Sequence, residues 1–201
     1  MYDDFSGVDR RVREFLAAEL PAGKEIFITE NALAGRFGMT RSAARRQLLA
    51  LEGEGALHCT PRGYRRVDYR DTPLEIVYEL RRTVEQSAAR LAAERAERRD
   101  IVELTLLVEE LEEALEAGDA ELYDRLDVEF HQALVAASHD ALLEKVAAFL
   151  LWTAGTTGGA ERDPELERRG QQFHREILAA VRRKDAAAAE KLIAGHVKIR
   201  R

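Results

Sequence analysis

From about residue 72 to its end, the chain is built of Ala, Leu, Glu and Arg in long stretches with helical spacing. These residue types have high helix propensity, and the spacing confines this part to an all-helical architecture. Thr72-Pro73-Leu74-Glu75 combines an N-cap, a proline at the first helical position and a capping-box glutamate. Asp100-Ile101-Val102-Glu103 repeats the box without the proline, Asp163-Pro164 and Asp185 are further N-caps, and Gly118 is a helix stop. The signals predict six helices, at about 73–97, 100–117, 119–137, 140–153, 164–183 and 185–199. Gly155-Thr156-Thr157-Gly158-Gly159 reads as a surface loop, His139-Asp140 as a helix start, and no apolar heptad run is long enough for a coiled coil.

Before Asp71 the pattern is different: short elements broken by Gly and Pro. Val8, Val12, Leu16 and Leu20 recur every four residues, with Phe15 beside them, and predict one amphipathic helix stopped by Pro21-Ala22-Gly23. A second fits Thr29 to Phe37, with Leu33 and Phe37 inward. After the turn at Gly38-Met39, Thr40 caps a third running to about Glu54, with Ala44, Leu48 and Leu51 inward. Two short helices meeting across a glycine turn have the spacing of a helix-turn-helix. Residues 56–60 and 64–67 flank Pro61-Arg62-Gly63 as a hairpin, the wing of a winged helix. The predicted fold is thus an α+β winged helix-turn-helix in residues 1–70, followed by an all-α six-helix bundle in 71–201.

Charge divides at the same place. The net charge is −6, but residues 1–70 hold 12 Lys+Arg and 10 Asp+Glu, a balance of +2, so residues 71–201, with 19 and 27, stand at −8. Residues 36–70 contain eight arginines and only Glu52, Glu54 and Asp68 as acids. With 46% hydrophobic residues the chain is not of disordered composition, and it lacks the roughly 18 uncharged apolar residues in a row that a membrane helix needs. Cys59 is the single cysteine, so no internal disulfide forms. The acidic opening stretch lacks the basic-then-apolar pattern of a secretory leader. Together these predict a cytoplasmic protein.

An α-helix fits the DNA major groove, where bidentate arginine to guanine is the commonest base contact. Arg41 and Arg45 stand four apart on one face of the third helix, while Thr40, Ser42 and the helix N-terminus can bond phosphates. Arg62 sits at the wing tip, Gly63 would let the backbone approach the duplex, and Arg36 could clamp a phosphate; Arg46 and Arg66 alternate away from these faces. An arginine-rich helix alone is often only a solvated face. Here the arginines coincide with helix, turn, helix and hairpin in the right order.

The run from Ala32-Leu33-Ala34 through Gly38-Met39-Thr40-Arg41-Ser42-Ala43-Ala44-Arg45 to Leu57, followed by Pro61-Arg62-Gly63-Tyr64, resembles the winged helix of GntR-family transcription regulators. The resemblance implies that Arg41 and Arg45 are the recognition-helix arginines, with Thr40 in place of the serine before them. It makes Arg36 the phosphate-contacting position and Gly63 the wing glycine. Ala43 replaces the usual proline, and Gln47 and Leu49 depart from the commonest pattern, which leaves the operator sequence open.

Four of the five histidines follow residue 130. Asp127 and His131, four apart on one helix, leave the same face one turn apart, as two ligands to one ion do. His174, on the apolar side marked by Phe173, Ile177 and Val181, and His196, beside Leu192 and Val197, could join them from two other helices. Imidazole and carboxylate suit Zn²⁺ first, with Ni²⁺ or Mn²⁺ as alternatives. Each histidine taken singly reads more simply as a structural one, and His58, in the wing, and His139 are not among the candidate ligands.

Residues 72–201 resemble the FCD ligand-binding domain of the FadR-like branch of that family. Glu79-Leu80-Arg81-Arg82 with Glu85 and Leu91-Ala92-Ala93 is similar to its first helix, Asp127 to His131 to its signature, and His174 to Ile177 with Asp185 and His196 to its closing pair. By position, Asp127, His131, His174 and His196 match its metal ligands and Arg81 its pocket-facing arginine, although an exposed ion pair between Arg81 and Glu85 explains those two residues as simply. The resemblance implies a small organic acid effector and, most commonly, repression relieved by it.

A single winged helix makes few phosphate contacts, which predicts a homodimer on a palindromic operator of double-stranded DNA. Two alternatives stay open: a metal-dependent hydrolase, which would need a base within reach of a metal-bound water, and a DNA-binding dimer whose metal is purely structural. Glu129 lies two residues from both Asp127 and His131 and so points away from them on the helix.

Overall fold

The structure is a computed structural model that describes residues 8–20, 24–69, 72–157 and 163–199. The chain divides into two compact units, Met1–Asp71 and Thr72–Arg201.

In the first unit, Asp9 caps α1 (Arg10–Glu19) by accepting from the Arg11 amide at 2.9 Å. The four-residue spacing puts Val8, Val12, Leu16 and Leu20 on one buried face. The Thr29 hydroxyl caps α2 (Glu30–Phe37), which ends at Gly38 in the left-handed conformation, φ 62°. The Thr40 hydroxyl caps α3 (Arg41–Gly53) by accepting from the Ala43 amide at 3.2 Å. Leu33, Ala44, Leu48 and Leu51 fill the space between these helices, and Phe37 packs edge-on against Phe15. Strands β1 (Leu57–Thr60) and β2 (Gly63–Arg66) pair antiparallel, with Cys59 opposite Tyr64 and Thr60 opposite Gly63. The turn is therefore Pro61-Arg62, and Gly63 belongs to the strand. Ile28 exchanges two backbone hydrogen bonds with Tyr64, of 2.9 and 2.8 Å, and adds a short third edge to the wing.

The second unit consists of α4 (Leu74–Arg95), α5 (Arg98–Ala117), α6 (Ala120–Ala136), α7 (Ala141–Thr157), α8 (Pro164–Arg182) and α9 (Ala186–Ile199). Helix α4 packs on α9 and α7, α5 on α6 and α8, and α8 on α9. Leu104, Leu111, Phe130, Ile177 and Ile193 are fully buried between them.

Three further local expectations shift. Pro73 is the N-cap of α4 and not its first residue: its φ of −56° suits a helix, but its ψ of 129° is extended, and the helix begins at Leu74. Asp100 closes a capping turn and does not open one. It accepts from the Glu97 amide at 2.7 Å, so α5 begins at Arg98. Helix α7 runs through Gly155-Thr156-Thr157, expected in a loop, because Leu150, Leu151 and Ala154 are buried and hold its last turns. Pro21-Ala22-Gly23 and Gly158-Gly159 lie outside the described residues.

Candidate functional site

The recognition-helix candidates lie at the N-terminus of α3. Arg41 and Arg45 are 71% and 64% exposed, and Ser42 is exposed beside them. Both arginines converge on one acid: Arg41 Nε donates to Glu30 Oε2 at 2.7 Å, and Arg45 Nε lies 3.7 Å from Glu30 Oε1. Glu30 begins α2 and is not among the residues the sequence singles out, because a lone acid at a helix start reads only as a favourable first-turn residue. Arg36 is exposed, with its guanidinium 5.5 Å from the Phe15 ring centroid. Arg62, at the wing tip, lies over the Phe27 ring at 4.3 Å and 3.5 Å from Glu25. Gly63 has a structural reason of its own: its φ is 122°, and a Cβ there would stand 2.6 Å from the Ile28 carbonyl oxygen.

In the helical unit, Asp127 and His131 from α6, His174 from α8 and His196 from α9 are all buried, with one ligand atom of each within 4.8 Å of the others. His131 Nε2 lies 3.0 Å from His196 Nε2, which lies 3.1 Å from His174 Nε2. Asp127 Oδ1 is 3.3 Å from His174 Nε2, and Asp127 Oδ2 is 3.9 Å from His131 Nε2. Two nitrogens each about 2.1 Å from one ion stand roughly 3.0–3.4 Å apart, from right-angle to tetrahedral arrangements. The nitrogen separations fall in that range, so this donor set could hold a metal ion.

Outside this centre stands a second ring of polar groups. Glu85 Oε2 is 2.5 Å from His131 Nδ1, and Arg81 Nε donates to Glu85 Oε1 at 2.8 Å. Burial pushes the Glu85 carboxyl up, but the charge of Arg81 and then that of His131 outweigh it and hold it down at about 2. The pair expected to be exposed if merely an ion pair is buried, its side chains 6% and 1% accessible. A buried pair of this kind is weak evidence for stability, which leaves its contact with His131 as its notable property. Gln171 Oε1 is 3.2 Å from His174 Nδ1, while Gln171 Nε2 donates to the Val108 carbonyl at 2.8 Å and to Glu112 at 3.0 Å. Gln171 was not foreseen, although a glutamine three residues before His174 on the apolar face of a strongly amphipathic helix is the legible signal.

His139 stands apart, with φ 51° and Nε2 2.8 Å from Asp100, and Asp140 caps α7 by accepting from the Leu142 and Leu143 amides. Glu129, 4.0 Å from Arg125, takes no part in the cluster.

The FCD domain model matches residues 76–198. An uncharacterized HTH-type transcriptional regulator of Bacillus subtilis, YdhC, is 30% identical over 178 residues, covering 84% of this chain and 77% of its own. The Nta operon transcriptional regulator of Aminobacter aminovorans is 32% identical over 164 residues, with 81% and 77% covered. The fold is that of E. coli McbR/YncC, with a TM-score of 0.70 at 23% identity over 94% of this chain and 92% of the other. The chain belongs to the GntR family of transcription regulators, in the branch that joins a winged helix to an FCD domain.

Proposed function

We propose that the protein is a homodimeric, metabolite-responsive regulator that binds a palindromic operator through its winged helices and senses a small organic acid at a metal held by Asp127, His131, His174 and His196. The observation that carries this reading is the burial of one carboxylate and three imidazoles at a single point among three helices of the FCD domain. Bound there, the ion would supply a Lewis-acidic anchor for an effector carboxylate. Imidazole and carboxylate ligands favour Zn²⁺, with Ni²⁺ or Mn²⁺ next. Arg81 would meet the effector in competition with Glu85, its present partner at 2.8 Å.

Arg41, Arg45, Thr40 and Ser42 would face the major groove and its phosphates, with Arg36 and Arg62 on the flanking backbone and Gly63 shaping the wing. The effector acts only through its different affinity for DNA-competent and DNA-incompetent states, and release of a repressor is the sign proposed here. The protein would work in the cytoplasm, where its operator lies. Among the described residues no base is placed for a hydrolase: Glu85 meets His131 on Nδ1, away from Nε2. The test is selection of bound genomic fragments, then titration of the protein–DNA complex with di- and tricarboxylates with and without Zn²⁺. Effector-dependent release that requires the metal supports sensing. Metal binding without any change in DNA affinity makes the metal structural.

A further inference from the structure

We infer that Glu85 and Gln171 are positioning residues: from outside the cluster they hold His131 and His174 in the tautomer with hydrogen on Nδ1, so that both Nε2 lone pairs point at the same place. The inference rests on the metal reading above for its purpose, but its geometry stands on the protein alone.

For His174 the argument is one of elimination. Gln171 offers one amide nitrogen and one oxygen. The Val108 carbonyl and the Glu112 carboxylate can only accept, so the amide nitrogen must face them, at 2.8 and 3.0 Å. That orientation turns Oε1 toward His174 Nδ1, 3.2 Å away. An amide oxygen can only accept, so His174 Nδ1 is the donor, and the neutral ring carries no hydrogen on Nε2. Arg175 donates to Glu112 at 2.7 Å and holds the outer end of this chain in place.

For His131 the outer partner is a carboxylate. Glu85 Oε2 stands 2.5 Å from Nδ1 in an ion-pair contact that lacks hydrogen-bond alignment, while Arg81 donates to the other oxygen. An ionised carboxylate oxygen has no hydrogen to give and would repel a nitrogen lone pair at that distance, so Nδ1 carries the hydrogen and Nε2 the lone pair. Two routes from different helices thus impose the same tautomer on two rings.

The consequence is that two ring lone pairs turn to one centre. His131 Nε2 and His174 Nε2 both face His196 Nε2, at 3.0 and 3.1 Å, with the Asp127 carboxylate alongside. A cation is the partner such a set of lone pairs suits, and outer acceptors that hold ligand histidines in this way commonly set metal affinity.

The experiment uses the full-length chain stripped of metal, at a pH where the imidazoles are neutral, and reads ring tautomers from long-range imidazole ¹⁵N–¹H spectra. Zn²⁺ is then titrated against a chromophoric chelator. Hydrogen on Nδ1 of both His131 and His174 is expected. Gln171→Leu should release the tautomer of His174 alone. Arg81→Met with Glu85→Leu, which removes the buried pair together and leaves neither charge stranded, should release that of His131 alone. Each variant should bind Zn²⁺ about 10- to 100-fold more weakly. Hydrogen on Nε2 of either ring in the unsubstituted protein overturns the inference, whatever the variants do. So do folded variants whose tautomers and Zn²⁺ affinity are unchanged. If the expected tautomers are found and no Zn²⁺ binds, the positioning stands and the metal reading falls.

Discussion

Glu30 takes the side chain of Arg41, the first residue of α3, in a 2.7 Å hydrogen bond, and so places an acid among the residues expected to meet DNA. It holds the arginine while keeping a negative charge near approaching phosphates. Arg41→Ala and Arg45→Ala should each cost about 1–3 kcal/mol of operator binding if they read bases. Glu30→Ala should instead tighten binding to unrelated DNA and narrow the margin between operator and competitor. Titrations on both DNAs across a salt series measure all three, and unchanged affinity in both arginine variants would remove the base-reading role.

Metal loading should appear as stability. A ligand at 100 times its Kd adds about 2.7 kcal/mol to a folded state that alone binds it. Chelation should therefore lower the Tm of the native protein, and Zn²⁺ should restore it. His131→Ala should carry no metal by elemental analysis and show a Tm indifferent to chelator. A Tm equally indifferent in the native protein would contradict the site.

The Arg81–Glu85 pair has a different signature. Glu85→Ala strands a buried guanidinium and should cost about 3–5 kcal/mol. Replacing both residues by apolar ones of similar volume should recover most of that loss in denaturant unfolding. A Glu85→Ala protein as stable as the native one would mean that Arg81 finds another partner.

Gly38 and Gly63 separate two reasons for a glycine. At Gly38, φ is 62° and a Cβ would meet nothing within 4 Å, so alanine should cost only the left-handed backbone, about 1–2 kcal/mol. At Gly63 a Cβ would also stand 2.6 Å from the Ile28 carbonyl oxygen. Gly63→Ala should therefore cost clearly more and loosen the Ile28–Tyr64 bridge, as amide exchange at Ile28 and Tyr64 would report.

The sequence carried the architecture because its signals are local. Helix propensity, caps at Thr40, Asp163 and Asp185, and the stop at Gly118 act within a turn or two, and the structure uses the three caps and the stop. The misread starts at Pro73 and Asp100 are shifts of register within such signals: a proline fits the cap as well as the first helical turn, and Asp100 serves three residues later in its box than expected.

By itself, then, the sequence determined a winged helix joined to a helical bundle, the face that carries Arg41 and Arg45, and the four side chains with the chemistry to hold a metal. The tertiary structure alone decided that Arg81 and Glu85 are buried, that Gln171 meets the Val108 carbonyl and Glu112 of α5, and that Glu30 stands between two arginines of another helix. Periodicity tells which face of a helix turns inward. It does not tell which residue from a distant helix that face will meet, and in a buried site the partner fixes the orientation and hydrogen placement of each polar group.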